Sequence, residues 1–221
     1  MADNYLERRM EEYRSGKLSS RPKAVRTVSR GEGDLVVHFP KLRVLIAGGL
    51  DAVGRAIVGA FRQVDCRVAF FDTDYRQGNL MAQSTGSKFY HTPGHDSLAR
   101  NISDILDKWG GLDVVVNNMD DDTGDVLAEC MIRYKASIVG NDNEVAYGGR
   151  FITVCRNTTG LFPEGLAQYG MTVNRVSISV GDAGVVDSFR GSCSGVAHIC
   201  MFIASPDSGF VNGVDFPVTL P

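Results

Sequence analysis

Residues 42–56 read LRVLIAGGLDAVGRA and combine an apolar run, a glycine-rich turn and the start of an amphipathic stretch. Leu42–Ala47 has the length of a buried strand, Gly48 and Gly49 end it, and Gly54–Val64 has the apolar spacing of a helix. The backbone N–H groups at such a helix start attract anions, and glycines allow a phosphate to come close. The stretch therefore predicts a βα unit whose turn can receive a phosphate.

Beyond this stretch, apolar runs of strand length continue to alternate with amphipathic runs of helical length. The predicted strands are Leu42–Ala47, Cys66–Phe71, Lys88–His91, Leu112–Val116, Phe151–Cys155, Met171–Ile178 and Val214–Leu220. The predicted helices are Gly54–Val64, Gln77–Ser84, Ser97–Trp109, Val126–Ile138 and Gly195–Ala204, with at most a short helix over Leu161–Tyr169. This alternation is typical of βαβ units. It predicts an α/β fold, a doubly wound, Rossmann-type three-layer sandwich with a mostly parallel sheet of six or seven strands.

Asp72 follows the second predicted strand, 18 positions after Gly54. A carboxylate at that place accepts hydrogen bonds from an adenosine ribose and repels a 2′-phosphate. If a dinucleotide binds, we therefore expect NAD in preference to NADP. The alternative is a solvated aspartate at the end of a strand.

Length and composition narrow the class of protein. The chain has 221 residues, 43% of them hydrophobic, and a net charge of -3, which suits one main core. No apolar run approaches the roughly 18 residues of a membrane helix, and the first residues do not resemble a signal peptide. Five cysteines without a C-x-x-C pair favour free thiols over disulfides or metal ligands. We expect a soluble, cytoplasmic protein.

Residues 1–41 are predicted to form a basic N-terminal arm, and residues 42–221 the main domain. Residues 1–43 carry a net charge of +4 and the remainder -7. Asn4–Arg14 has the spacing of a short helix. A tail that packs on a neighbouring subunit or stays in solvent is favoured over a segment that binds nucleic acid.

Five segments, in order, resemble motifs of the short-chain dehydrogenase/reductase family. Gly48 and Gly54 match glycines of its loop T-G-x-x-x-G-x-G, and residues 117–120 fall where the family has N-N-A-G. Residues 149–155, 166–176 and 204–213 are similar to its G-R-I-V-N-I-S strand, its G-I-R-V-N stretch and its late helix-to-strand turn. The resemblance covers about residues 42–218. It implies an NAD(P)-dependent oxidoreductase fold whose cofactor would contact Gly48, Val53, Gly54, Asp72 and Asn118.

The segment that should hold the family's catalytic residues departs from its pattern. The family uses a Tyr-x-x-x-Lys pair for proton transfer and a serine that positions the substrate. Only residues 156–170 join the fifth and sixth predicted strands, too few for a catalytic loop and a long helix. That link contains no lysine, Tyr169 lies beside its last glycine, and Arg156 stands at the serine position. We therefore assign no catalytic residue, and interpret the remote pair Tyr13 and Lys17 as coincidence.

The cofactor groove departs from the family pattern as well. Ala52 replaces the middle glycine of the loop, and Asp51 places a negative charge where phosphates would lie. Met119 and Asp120 replace small residues. Binding of NAD is therefore expected to be weak or lost.

Two patterns that could suggest metal ligands are interpreted as surface features. A calcium-loop spacing has Thr123 at the position that requires glycine; its acidic and amide members are Asn118, Asp120, Asp122 and Glu129. His91 and His95 are separated by a Pro-Gly turn, which rules out a shared helical face. No metal ligands are predicted.

Three hypotheses for the function follow. The first is a pseudoenzyme that keeps the dinucleotide fold without effective hydride transfer and acts as a nucleotide sensor or as the partner of another protein. The second is a working NAD-dependent oxidoreductase whose acid or base is Tyr134, Lys135 or Tyr147, or comes from a neighbour's arm. The third is an interaction module without a ligand. In each, we expect a homodimer through Gly195–Ala204 and Val214–Leu220, because the other interface of the family uses helices beside the fifth strand that are short here.

Overall fold

A computed structural model describes residues 39–119, 122–142, 148–156, 162–180 and 192–220. Its elements, in chain order, are β1 Arg43–Ala47, α1 Ala52–Gln63, β2 Arg67–Asp72, α2 Tyr75–Thr85, β3 Lys88–His91, α3 His95–Trp109, β4 Val114–Asn117, α4 Thr123–Asp142, β5 Arg150–Cys155, β6 Thr172–Val180, α5 Cys193–Ala204 and β7 Asp215–Leu220. A 3₁₀ turn at Ala167–Tyr169 precedes β6, and a second one at Pro206–Ser208 follows α5. Residues 1–38 of the predicted arm lie outside the described residues, so the domain boundary at residue 41 stays a prediction.

Within the described ranges the strands form one parallel sheet in the order β3-β2-β1-β4-β5-β6-β7. The chain moves outward from β1 in one direction and then returns to continue from β4 in the other. The strand order therefore reverses between β1 and β4, and a crevice is expected there, at the carboxyl ends of the strands. The predicted doubly wound α/β fold is confirmed.

Apolar side chains cover both faces of the sheet, which explains why the central strands are continuous apolar runs. One core lies under α1, α2 and α5 and includes Ile46, Phe61, Phe70 and Cys200. The other lies under α3 and α4 and includes Leu45, Phe71, Ile105 and Met131. The adjacent residues Phe70 and Phe71 point into different cores because successive side chains of a strand alternate between the faces. The result is the predicted three-layer sandwich.

Two predicted elements differ from the structure. Helix α4 has 20 residues and begins at Thr123, so the expectation that the helices beside the fifth strand are short is wrong for the helix that precedes it. The predicted short helix over Leu161–Tyr169 is a 3₁₀ turn at Ala167–Tyr169 in its described part, because a link of this length cannot hold a longer helix and still return to the sheet. In the described residues, no helix combines the length and the apolar character needed to cross a membrane.

Candidate functional site

The turn between β1 and α1 lies at the carboxyl edge of the sheet and depends on two glycines. Gly48 has a φ of 76°, and a Cβ on it would lie 2.7 Å from the carbonyl oxygen of Asn118. A Cβ on Gly54 would lie 2.1 Å from the carbonyl oxygen of Gly48. Close packing within the turn therefore explains why both positions hold glycine. Val53, also predicted to contact a cofactor, is buried in the core beneath the first turn of α1.

Asp51 is the N-cap of α1, and its carboxylate receives donors from three parts of the fold. Its Oδ1 accepts hydrogen bonds from the backbone N–H of Gly54 at 2.6 Å and from Nδ2 of Asn118 at 2.9 Å. Its Oδ2 forms an ion pair with the guanidinium of Arg156. The side chains of Asp51 and Arg156 are 44% and 35% exposed, so the pair lies at the surface of the groove.

Asn118 connects the same groups from the end of β4. Its Nδ2 also donates to the carbonyl oxygen of Gly48 at 2.8 Å, and its Oδ1 accepts from Arg156 at 3.3 Å. Asn118 is buried, so its amide is held in place. The carboxyl ends of β1, β4 and β5 are therefore joined by a polar cluster of Asp51, Asn118 and Arg156.

Asp72 lies at the carboxyl end of β2, on the same edge of the sheet as the turn. Its Oδ2 accepts from the backbone N–H of Leu50 at 3.0 Å, and its Oδ1 from that of Thr73 at 2.8 Å. Asp72 therefore anchors the glycine-rich turn to β2. Its predicted contact with a ribose stays a prediction, as do the cofactor roles of Gly48, Val53, Gly54 and Asn118.

The link between β5 and β6 begins at the groove and ends at the opposite edge of the sheet. Arg156 directly follows the carboxyl end of β5, whereas Tyr169 belongs to the 3₁₀ turn that precedes the amino end of β6. A six-residue strand such as β5 is about 20 Å long. Tyr169 is therefore separated from the groove by about the length of the sheet.

Tyr134 and Lys135, considered as alternative acid or base, also lie toward the amino edge. A Cβ on Gly111, which precedes β4, would be 2.9 Å from Oη of Tyr134 and 3.1 Å from Nη1 of Arg43. Burial lowers the pKa of the Lys135 ammonium, and the nearby carboxylate of Asp113 opposes this effect. Arg43 and Asp113 stand at the amino ends of β1 and β4. This arrangement does not support Tyr134 or Lys135 as proton donors at the groove, and Tyr147 lies outside the described residues.

Neither metal-like pattern is assembled into a site in the part of the chain that the structure describes, where no group of three or more His, Cys, Asp or Glu side chains could hold a metal ion. Nε2 of His91 lies 3.0 Å from the carbonyl oxygen of Thr73, and Asp120 lies outside the described residues. The five cysteines are free thiols, with Cys66, Cys155 and Cys200 buried.

The sequence does not predict the ion pair of Asp51 and Arg156, although each residue departs from the family pattern. They are 105 positions apart, and only the strand order places them together. The available signal was that opposite charges follow β1 and β5, which are both neighbours of β4 and end at the same edge.

Comparisons with known proteins agree with this fold. No family model matches the chain. It is 32% identical over 87 residues to the L-fucose dehydrogenase of Mus musculus and 31% identical over 80 residues to (+)-borneol dehydrogenase 2 of Salvia officinalis. These matches cover 38% and 34% of the chain, and 32% and 28% of the relatives, so the chain matches about a third of their length.

Solved structures match over most of the chain at low sequence identity. A short-chain type dehydrogenase/reductase from Mycobacterium marinum has a TM-score of 0.65 and 16% identity, covering 80% of this chain and 93% of that one. Ribose-5-phosphate isomerase from Brucella melitensis has a TM-score of 0.63 and 16% identity, covering 82% and 91%. These likenesses define the class, an α/β protein with a doubly wound parallel sheet. Together with the two dehydrogenases of similar sequence, they support the predicted resemblance to the short-chain dehydrogenase/reductase family.

Proposed function

We propose that this chain is a short-chain dehydrogenase/reductase-like protein that has lost hydride transfer and acts as a nucleotide sensor or as the partner of another protein. The observation that carries the proposal is the ion pair between Arg156 and Asp51. Arg156 stands where the resemblance places the serine that positions a substrate. Its guanidinium is held by a carboxylate of the glycine-rich turn, so this position has a structural role in place of a catalytic one.

The β5–β6 link supports the same proposal. Residues 156–171 contain one tyrosine and no lysine. A proton donor must come within about 2.6–3.2 Å of the reacting oxygen. Tyr169 precedes β6 at the amino edge, whereas the groove opens at the carboxyl edge. Within this link, no tyrosine hydroxyl and ammonium group can form the family's proton-transfer pair.

The test is a spectrophotometric assay with NAD or NADP and a panel of secondary alcohols, and with NADH or NADPH and the matching carbonyl compounds. We expect no turnover above the uncatalysed rate, and no difference between the wild type and Tyr169→Phe. Turnover by the wild type on the order of 1 s⁻¹ or faster, the ordinary range of enzymes, would contradict the proposal, and its loss in Tyr169→Phe would identify the proton donor.

The residues of the groove do not fit the pyrophosphate of a dinucleotide as they stand, because the Asp51 carboxylate already accepts from the N–H of Gly54 at the start of α1 and from the amide of Asn118. We therefore propose weak or absent binding of NAD, and still weaker binding of NADP because of Asp72. A ligand at a hundred times its Kd raises the free energy of unfolding by about 2.7 kcal/mol. If millimolar NAD, NADH and NADPH cause no thermal shift, the interaction-module hypothesis is favoured over a nucleotide sensor.

We also propose that the chain forms a homodimer through α5 and β7. Strand β7 is the outer strand at one end of the described sheet, and α5 is apolar around most of its circumference, as in CSGVAHICMFIA. Between these elements the side chain of Phe210 is 83% exposed, and Val214, next to β7, is 40% exposed. Exposed apolar surface of this kind is typical of an interface.

The assembly is tested by sedimentation equilibrium of the wild type and of Phe210→Asp. We expect a dimer for the wild type and a lower dimer affinity for Phe210→Asp. Leu80→Asp is the matched control, since Leu80 is 58% exposed on α2, on the other side of the sheet from β7 in strand order. A monomeric wild type, or equal weakening by both variants, would rule out this interface.

A further inference from the structure

Arg150, the first residue of β5, carries a positive charge that no carboxylate of the described residues balances. Its Nη1 donates to the carbonyl oxygen of Gly148 at 3.2 Å, and its Nε is buried without an acceptor in the described ranges. Burial alone lowers the pKa of its guanidinium, whereas Arg43 at the start of β1 is paired with Asp113. A partly buried cation without a counter-ion is unfavourable, so an acidic group that reaches Arg150 should bind there.

The turn that follows α5 lies directly beside this guanidinium. Side chains alternate along a strand, so Arg150 points to the same face of the sheet as Ile152, the face that α5 covers. A Cβ on Gly209 would lie 3.4 Å from Nη2 of Arg150. The next residue, Phe210, is 83% exposed. A cation without a counter-ion and an exposed aromatic residue therefore stand close together at the amino edge of the sheet.

The same turn also carries an exposed acid. Asp207 lies in the 3₁₀ turn Pro206–Ser208 and forms no ion pair with any residue that the structure describes. Arg150, Asp207 and Phe210, which we call the amino-edge patch, thus hold one positive group, one negative group and one apolar anchor.

A patch with both signs of charge is complementary to itself. In a two-fold symmetric contact each copy presents the same surface, so the arginine of one copy can face the acid of the other, twice per dimer. Opposite charges across an interface fix the register of the partners and reject wrong ones. The composition of the amino-edge patch therefore favours a second copy of this chain over an unrelated partner.

We propose that Arg150 binds the carboxylate of Asp207 of a second copy of this chain, and that the two symmetry-related ion pairs flank Phe210 in the dimer. The inference rests on the homodimer proposed above and adds the residues that select the partner. It gives a counter-ion to an arginine and to an acid that the described part of a single chain leaves unpaired.

The test measures the dimer dissociation constant by sedimentation equilibrium for a cycle of charge reversals. We expect Arg150→Glu and Asp207→Lys each to weaken the dimer about tenfold or more, since each places like charges together twice per dimer. The double variant Arg150→Glu with Asp207→Lys restores opposite charges and should recover most of the lost affinity. Asp207 is exposed, so Asp207→Lys provides the test if Arg150→Glu does not fold.

Two controls separate this ion pair from general effects of charge. Arg76→Glu makes the same reversal at an exposed position of α2, at the opposite end of the sheet from β7 in strand order, and should leave the dimer affinity unchanged. Salt gives a readout that a purely structural role would not move. The loss of affinity in Asp207→Lys should shrink in about 1 M NaCl, where the screening length falls to about 3 Å.

Unchanged dimer affinity in both single variants, or a double variant that recovers nothing, overturns this inference. If Phe210→Asp still weakens the dimer in that case, the homodimer through α5 and β7 stands without the ion pair. A monomeric wild type refutes the homodimer and the ion pair together, whereas the proposed loss of hydride transfer depends on neither result.

Discussion

The two glycines of α1, Gly54 and Gly59, provide a direct test of the packing at the glycine-rich turn. They lie in the same helix and would each gain a single methyl group on substitution by alanine. A Cβ on Gly54 would be 2.1 Å from the carbonyl oxygen of Gly48, whereas a Cβ on Gly59 would have no atom within 4 Å apart from its chain neighbours and the nearby backbone of its own helix. Both changes replace glycine by alanine within α1, so a large difference between them reports the contact at the turn.

The magnitudes follow from these contacts. Alanine is more favourable than glycine in a helix interior by about 0.5–1 kcal/mol, which is the expected gain in the free energy of unfolding of Gly59→Ala. Gly54→Ala has the same gain but forces its methyl group against a backbone oxygen, and overpacking of this kind costs about 1–3 kcal/mol. Because a backbone atom cannot rotate away, we expect the upper end of that range. The net loss for Gly54→Ala is then about 2 kcal/mol.

Thermal unfolding followed by circular dichroism measures the difference. A change of 1 kcal/mol shifts the Tm of a protein of this size by about 2–4 °C. Gly54→Ala should therefore lower the Tm by about 4–8 °C, and Gly59→Ala should raise it by about 1–4 °C. If Gly54→Ala is as stable as Gly59→Ala, Gly54 does not approach Gly48 closely in the folded protein.

Three further predictions concern titratable groups away from the groove. Burial raises the pKa of Asp113, but its hydrogen bonds to Arg43 and the charge of Arg43 outweigh burial and lower that pKa overall. The ion pair of Asp113 and Arg43 therefore stabilises the fold above about pH 4, and this stabilisation is lost as the pH falls through the folded-state pKa of Asp113. Asp113→Asn should be about 1.5–3 kcal/mol less stable than the wild type at pH 7. In urea unfolding this difference should shrink toward pH 2. A difference that does not depend on pH would argue against the ion pair. Burial and the hydrogen bond to Asp104 raise the pKa of Tyr90 to about 12, so the absorbance of its phenolate should appear only near that pH. Phenolate absorbance near pH 10 that is missing in Tyr90→Phe would contradict this. Among the thiols, the half-buried Cys130 should react with a disulfide reagent in the native protein well before Cys200, whose pKa burial raises to about 12; the reverse order of labelling, read by mass spectrometry, would be inconsistent with the core.

The order of strands and helices could be predicted from the sequence because each buried strand is a compact apolar run. Val114, Val115 and Val116 are buried on both faces of the sheet, so the run carries no polar interruption. The same signal sets β1 and β2 apart from the helices that follow them. The apolar pattern of the sequence predicts the observed strand or helix wherever the segment lies wholly inside one core or between the two cores.

The candidate site was predictable only in part, since its decisive contact depends on distant residues. The glycine-rich turn and Asp72 follow from local sequence, but the pairing of Asp51 with Arg156 requires β1, β4 and β5 to be neighbours. The sequence leaves Tyr134 as an alternative acid or base, because the place of its hydroxyl depends on where α4 begins. From Thr123, at the groove end of α4, eleven residues advance about 16 Å along the axis, which brings Tyr134 to the other edge of the sheet.

The internal counter-charge at the start of α1 has a consequence for the life of the protein in a cell. A nucleotide-binding fold that keeps its donors waiting for a ligand is stabilised by that ligand through mass action, so its abundance follows the supply of the ligand. Here the Asp51 carboxylate accepts from one of those donors, the N–H of Gly54, and pairs with Arg156. If the proposed function holds, the abundance of the folded protein should therefore not follow the supply of a nucleotide.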